Sequence, residues 1–317
     1  MKSITISLTE ACNLHCEWCY NQKQVLQQLP FEQFELFFEK IVNGCFENVL
    51  LIGGEPTVHP EFLKILSILK NQKVHLVTNG IQFARKGFLQ ECLEEGLDTL
   101  TLSIKGYTEK TFLETTQVNG FGLFQNALQN LNTIKNRITY TYTCSQNMSG
   151  KELQEFADFL NENQIEHIVI TDLRPYQTLQ GQFIKPEALK CLQDMYLCLR
   201  ERQIDCFFRL SQPLCRYSED FIEQLLYDKH LITQCIVKCG GGACFTPSLE
   251  LIPCNSMDFA AIGKFEKDFF DYESLRIFLF SEKIRSAFKR MASCPLEKCE
   301  NCRMWKICGG GCFMYWI

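Results

Sequence analysis

The chain has 317 residues, a hydrophobic fraction of 46% and a formal net charge of −5. This length allows one large domain, or a large and a small one, each with a substantial core. The acidic balance and the lack of Lys/Arg runs argue against a nucleic-acid partner. No apolar stretch reaches the roughly 20 residues of a membrane helix, and residues 1–10 lack the apolar segment of a signal peptide.

We therefore expect a cytoplasmic protein that does not enter the membrane. The chain nevertheless contains 19 cysteines. In a reducing compartment, clustered cysteines are more typical of metal sites than of disulfides.

Short apolar or β-branched runs alternate with helical patterns over the first two hundred residues. Strands are predicted at 3–8, 48–52, 74–78, 99–104, 138–143 and 167–171. Helices are predicted near 31–43, 60–70, 86–95, 121–135 and 150–161. This alternation predicts an α/β fold, a partial (β/α)6 TIM-like barrel, whose active site would lie at the carboxyl ends of the strands.

Three cysteines, Cys12, Cys16 and Cys19, follow the first predicted strand in the segment ACNLHCEWCYN. A structural zinc site needs four ligands, whereas three thiolates on one loop can hold three irons of a [4Fe–4S] cluster and leave the fourth iron open. The alternative is three reduced thiols packed in the core.

The spacing C-x3-C-x2-C after a first strand, with an aromatic residue before the third cysteine, resembles the radical S-adenosyl-L-methionine (radical SAM) superfamily. The resemblance implies that the open iron binds the methionyl part of S-adenosyl-L-methionine and that Trp18 packs against its adenine. It also implies that the segment Gly53-Gly54-Glu55-Pro56, after the second strand, binds the amino group of this cofactor.

Polar residues follow the other predicted strands and are candidates to bind the cofactor. They are Asn79, Ser103, Lys105, Asn147 and Arg174. Many peptide-modifying relatives have an acidic residue where Lys105 stands, so Lys105 could also bind a substrate acid or face solvent. For Arg174 the alternative is an ion pair with Asp172.

The pattern changes after Tyr176, and we predict a core barrel over 1–176, a helical linker over 177–234 and a cysteine-rich α+β domain over 235–317. This last region contains nine cysteines: Cys235, Cys239, Cys244, Cys254, Cys294, Cys299, Cys302, Cys308 and Cys312. The run C-x2-C-x5-C-x3-C from Cys299 resembles the SPASM extension, which in relatives carries two auxiliary [4Fe–4S] clusters. Leu249 stands where relatives often have a turn glycine, and a zinc ribbon is the competing interpretation.

By resemblance, one auxiliary cluster would be held by Cys239, Cys254 and Cys312, with Cys235 as the fourth ligand. The second would be held by Cys299, Cys302 and Cys308. Its fourth ligand is Cys294, or the cluster has a different or open fourth site, and Cys244 could replace Cys235.

The resemblance implies reductive cleavage of S-adenosyl-L-methionine to a 5′-deoxyadenosyl radical, which abstracts hydrogen from a ribosomally made peptide to cross-link, oxidise or epimerise it. The alternatives are a sulfatase-maturating (formylglycine-generating) enzyme acting on a protein and a non-catalytic iron–sulfur electron-transfer protein. Cys144, Cys206 and Cys215 are candidate hydrogen donors or buried structural thiols. Expected partners are an electron donor such as flavodoxin or ferredoxin and, because the triplet begins at residue 12, a separate leader-binding protein.

Overall fold

The structure is a computed structural model that describes residues 2–21, 26–145, 147–174, 185–233, 235, 237–238 and 242–316. Within these ranges, no helix has both the length and the apolar character needed to span a bilayer.

Eleven strands of the described residues form one sheet in the order β11-β10-β9-β1-β2-β3-β4-β5-β6-β7-β8. The strands are β1 (Ser3–Ser7), β2 (Asn48–Ile52), β3 (Lys73–Thr78), β4 (Leu97–Ile104), β5 (Ile138–Cys144), β6 (His167–Asp172), β7 (Asp205–Arg209), β8 (Leu231–Ile232), β9 (Ala243–Phe245), β10 (Glu250–Ile252) and β11 (Gly263–Lys264). Strands β1 to β8 pair in parallel and in sequence order, and β9 adds in parallel beside β1. Strands β10 and β11 complete this end as an antiparallel meander.

Among the described residues, eight α-helices lie between successive parallel strands and four more follow β11. They are α1 (Phe31–Phe37), α2 (Phe62–Ile68), α3 (Phe88–Glu94), α4 (Glu109–Thr116), α5 (Phe121–Leu131), α6 (Gly150–Glu162), α7 (Pro186–Glu201), α8 (Glu219–Tyr227), α9 (Tyr272–Leu279), α10 (Glu282–Met291), α11 (Glu297–Glu300) and α12 (Trp305–Cys308). The sequence prediction missed α4 and joined α1 to the π-helical turn Phe38–Val42.

The predicted α/β class and open TIM-like barrel are confirmed. All six predicted strands are present, with ends shifted by two residues at most. The parallel part is larger than predicted, because 205–209 and 231–232 add two strands after β6. The region predicted as a helical linker thus also contributes strands to the sheet. The division into three domains stays a prediction.

Alternation along the strands separates an apolar face from a polar one. In β1, Ile4 and Ile6 are buried against the helices, whereas Thr5 between them points to the opposite face and lines a cavity. Successive side chains of a strand point to opposite faces, so the same strand builds both the core and the cavity wall.

Candidate active site

The loop that carries the cysteine triplet is fixed to the barrel by main-chain hydrogen bonds. The N–H of His15 donates to the carbonyl oxygen of Thr116 at 2.9 Å, and the N–H of Glu17 donates to that of Thr115 at 3.3 Å. Both acceptors lie at the carboxyl end of α4. The helix missed by the sequence prediction therefore positions this loop.

Cys12, Cys16 and Cys19 all line one cavity of about 550 Å³ at the carboxyl ends of the strands. Main-chain N–H groups of Leu14 and Asn21 donate to the sulfurs of Cys12 and Cys19, each at 3.4 Å. Burial raises the pKa of Cys12 to about 11, against the effect of the Leu14 N–H, and burial also raises the pKa of Cys16. The thiolate forms therefore need further positive charge, which iron would supply.

Gly53 and Gly54 allow the end of β2 to lie against the start of the triplet loop. A Cβ at Gly54 would lie 2.4 Å from the carbonyl oxygen of Ala11, and one at Gly53 would lie 2.5 Å from that of Thr9. The N–H groups of Gly54 and Glu55 donate to these same oxygens of Thr9 and Ala11, at 2.7 and 2.8 Å. Only glycine fits such a close approach of two backbones.

Glu55 is buried, and its carboxylate is already held by neighbouring donors. Oε1 accepts from the hydroxyls of Thr57 and Thr78 at 2.6 and 2.8 Å, and Oε2 accepts from the N–H of Asn79 at 2.7 Å. Burial raises the pKa of Glu55, while these donors lower it. The side chain therefore ties the ends of β2 and β3 together, a structural role beyond the ammonium acceptor expected from sequence.

Trp18 and Lys105 form a stacked pair on the cavity wall. The ammonium of Lys105 lies 4.5 Å from the centre of the Trp18 ring, within the range of a cation–π contact. The indole Nε1 of Trp18 is buried and has no hydrogen-bond partner among the described residues. A buried N–H without an acceptor is costly, so this donor is suited to a bound polar ligand.

The remaining predicted cofactor residues divide into two groups. Asn79, Ser103 and Arg174 line the cavity, whereas Asn147 is exposed and lies outside its wall. Arg174 donates to the hydroxyl of Ser256 at 3.1 Å. The carboxylate of Asp172, its suggested partner, accepts instead from three other donors. They are the N–H groups of Ser211 and Gln212, at 2.7 and 3.0 Å, and the hydroxyl of Tyr217, at 2.7 Å.

The three predicted hydrogen donors lie away from the cavity wall. Cys144 and Cys206 are buried on the outer face of β5 and β7, and Cys215 is exposed. A hydrogen bond from Cys144 lowers the pKa of Cys191 on α7 to about 7. None of the three lines the cavity as the described residues form it, and their roles as hydrogen donors stay a prediction.

The cysteines of the second half form two neighbourhoods. Cys235 and Cys254 lie near enough to Cys312 for their charges to raise its pKa, after the larger effect of burial. Cys294 lies beside Cys299. Cys302 lies between the short helices α11 and α12, and Cys308 is the last residue of α12, while Cys239 lies outside the described residues.

Cys244 differs from the other cysteines of this half. It sits on β9 opposite Thr5 of β1 and lines the cavity. Burial raises its pKa to about 12. Leu249, in the turn that follows, has a positive φ of 57°, a backbone conformation that favours glycine.

No group of three or more His, Cys, Asp or Glu side chains of the described residues surrounds a single metal ion. Thiolates of an iron–sulfur cluster bind different irons, so they need not meet the geometry of one ion. The donor set of the triplet, its N–H···S bonds and the unpartnered indole fit a cluster and a polar cofactor.

Sequence reasoning missed several residues on the inner wall. They are Thr5, His75, Thr101, Thr139, Thr141, Thr143, Thr171 and Arg209. His75 bridges the hydroxyls of Thr99 and Thr101, each at 2.8 Å. The sequence did contain a signal for these wall residues, since polar side chains occur at alternate positions of otherwise apolar strands.

Comparison with known proteins finds a family match in the first half of the chain. Residues 6–161 match the Radical SAM superfamily. The 7,8-dihydro-6-hydroxymethylpterin dimethyltransferase of Methanocaldococcus jannaschii is 29% identical over 133 residues, which cover 39% of this chain and 26% of that protein. The GTP 3′,8-cyclase of Synechocystis sp. is 34% identical over 127 residues, or 38% of each chain. The chain thus spans well under two thirds of either relative.

Solved structures match nearly the whole chain. Streptococcus suis SuiB bound to S-adenosylmethionine covers 98% of this chain, and 73% of SuiB is matched, with a TM-score of 0.68 and 17% identity. SuiB bound to its precursor peptide SuiA covers 98% of this chain, and 72% of SuiB is matched, with a TM-score of 0.69 and 16% identity. At these identities the likeness establishes the fold. The match to the Radical SAM superfamily model covers residues 6–161, just under half of the chain.

Proposed function

We propose that the chain cleaves S-adenosyl-L-methionine reductively and abstracts hydrogen from a ribosomally made peptide. The observation that carries this proposal is the extent of the likeness to SuiB, 98% of the chain, including the cysteine-rich second half. SuiB is solved with a precursor peptide. The GTP 3′,8-cyclases match by sequence over 32% to 72% of the chain.

In this proposal Cys12, Cys16 and Cys19 hold a [4Fe–4S] cluster that, when reduced, supplies the electron for cleavage of the sulfonium bond. The chain's own contribution is placement. The close contact of Gly54 with Ala11 fixes the triplet loop relative to β2, and Trp18 with Lys105 forms the wall against which the cofactor lies.

The second half would hold one or two auxiliary [4Fe–4S] clusters. The proximity of Cys235, Cys254 and Cys312 supports the first ligand set, with Cys239 as its further member, and the proximity of Cys294 and Cys299 supports Cys294 as fourth ligand of the second. Lys238 donates to the carbonyl oxygens of Gly309 and Gly311, and so fixes the loop between Cys308 and Cys312. When bound, clusters at these cysteines would supply an acceptor for the one electron that a substrate radical gives up as it is oxidised.

A nucleotide substrate is the second candidate, because three cations, Lys105, Arg174 and Arg209, line the cavity. Basic side chains are suited to phosphate groups. The sequence relatives include GTP 3′,8-cyclases. A sulfatase-maturating enzyme would use the same radical chemistry. It would differ from the peptide proposal only in its substrate, because a Ser or Cys of a protein would enter the cavity.

The experiment is anaerobic incubation of the reconstituted chain with S-adenosyl-L-methionine, dithionite and peptides encoded beside its gene. We expect 5′-deoxyadenosine to form and the peptide mass to fall by about two hydrogens for oxidation or cross-linking, or to stay unchanged with deuterium uptake for epimerisation. Parallel reactions contain GTP or a sulfatase-derived peptide with its target Ser or Cys.

The Cys12→Ala variant is the control for adventitious cleavage. Consumption of GTP with unchanged peptides would replace the peptide proposal by the nucleotide one. Conversion of the sulfatase-derived peptide alone would favour the formylglycine-generating alternative.

A further inference from the structure

We propose that Arg209, with Thr171 beside it, forms an anion-binding subsite inside the barrel that receives a carboxylate of the substrate. This inference rests on the proposed peptide substrate and specifies one of its groups, an acidic side chain or a carboxyl terminus.

The position of Arg209 places its side chain in the cavity. It is the last residue of β7 and pairs in register with Thr171 of β6, and both residues line the cavity wall. The hydroxyl of Thr171 bonds that of Thr143, at 3.1 Å. A guanidinium and two hydroxyls thus face the same space.

Among the residues that the structure describes, no neighbouring acid neutralises the charge of Arg209. None of the ion pairs formed by the described residues involves it. Asp172, next to its strand partner, is buried and accepts from Ser211, Gln212 and Tyr217. Glu55, an acid of the cavity wall, is held by Thr57, Thr78 and Asn79.

The surroundings make an anion favourable at this point. Burial, and the charge of Arg174, lower the pKa of Arg209. Like charges that face each other in a partly desolvated cavity are relieved by a bound anion. A guanidinium binds a carboxylate through two parallel hydrogen bonds, and the Thr171 hydroxyl can donate a third.

Arg174 has a different role. It donates to Ser256, and its charge lowers the pKa of Cys254 and of Cys312, each of which burial raises more strongly. Arg174 lines the same cavity as Arg209, but its guanidinium already donates to Ser256, whereas Arg209 pairs in register with Thr171 on the cavity wall. The subsite accordingly centres on Arg209.

The test measures binding without turnover, so its result is independent of whether peptides are modified. Calorimetry on the reconstituted full-length chain would compare N-acetyl-aspartate amide with N-acetyl-asparagine amide, which has the same shape without the charge. A third ligand, inorganic pyrophosphate, tests the phosphate alternative. We expect the acid to bind measurably more tightly than its amide.

Arg209→Gln should weaken acid binding about tenfold or more, the usual effect of losing a charged hydrogen bond. Thr171→Val should weaken it several-fold. Arg285→Gln removes an exposed arginine of α10 and should have no effect. Unfolding midpoints show which variants fold.

Equal binding of acid and amide by the wild type would overturn the proposal. The proposal would also be overturned if a folded Arg209→Gln or Thr171→Val variant bound the acid with wild-type affinity. Arg209-dependent binding of pyrophosphate without binding of the acid would assign the subsite to phosphate and overturn the carboxylate proposal.

Discussion

Gly54→Ala should strongly reduce cofactor cleavage by displacing the triplet loop. The added Cβ would lie 2.4 Å from the carbonyl oxygen of Ala11 and 2.5 Å from that of Glu10. Both atoms belong to the backbone, so no flexible side chain can move aside. Real Cβ contacts are essentially never shorter than 3.0 Å. The backbone of Ala11 and that of residue 54 must therefore move apart by at least about 0.6 Å.

This shift falls on the residue directly before Cys12. It would also lengthen the bonds from Gly54 to Thr9 and from Glu55 to Ala11. A misplacement of about 1 Å at a reacting centre can lower a rate by about 100-fold. We therefore expect 5′-deoxyadenosine formation to fall between about 10-fold and 100-fold.

The assay measures 5′-deoxyadenosine formed with dithionite, normalised to iron content. The matched control is Gly122→Ala in α5, where a Cβ meets nothing within 4 Å. Alanine favours helix over glycine, so this control should keep its rate and its stability. If Gly54→Ala retained its iron and the wild-type rate, the inferred dependence of the triplet on the β2 contact would be refuted.

Three further predictions concern stability, pH and iron. Asp172→Asn replaces one carboxylate oxygen by an NH2 group that faces the buried N–H donors of Ser211 and Gln212. Urea titrations should therefore show a free energy of unfolding lower by about 1–3 kcal/mol. The exposed control Glu162→Gln should leave it unchanged. Burial lowers the pKa of His75 below its ordinary 6.5, so the unfolded chain binds the proton more readily and stability should fall as pH drops below 6.5. His75→Gln should flatten that slope, and an unchanged slope would show that His75 does not cause it. A colorimetric iron assay should show that Cys299→Ser loses about four irons per chain. The exposed control Cys215→Ser should lose none. Equal iron contents in the two variants would argue against a cluster at Cys299.

The strands and the triplet were predictable because local patterns determine them. Residues 48–52 read as a strand and form β2 with the same bounds. Strand β8 was missed because it has only two residues, and β7 because its five residues, DCFFR, begin and end with a charged side chain and give no clear apolar run. Helix α4 was missed for a related reason, since Thr and Glu dominate it and its end is defined by the loop it supports.

The roles of individual side chains were less predictable than their positions. Glu55 was correctly placed at a strand end, yet only the structure shows that Thr57, Thr78 and Asn79 already occupy its oxygens. Cys144 stands at the end of a strand, as several cavity residues do. Its side chain nevertheless points to the outer face, because successive side chains of a strand point to opposite faces and Thr143 before it points into the cavity. Arg209 was not singled out, because its strand was not predicted.

The central claim is that Cys12, Cys16 and Cys19 hold the cluster at which S-adenosyl-L-methionine is cleaved. Its most direct test is anaerobic 5′-deoxyadenosine formation by the wild type, by a Cys12→Ala/Cys16→Ala/Cys19→Ala variant and by Cys299→Ser. The account predicts formation by the wild type, none above background by the triple variant, and residual formation by Cys299→Ser. Equal formation by the wild type and the triple variant would contradict it.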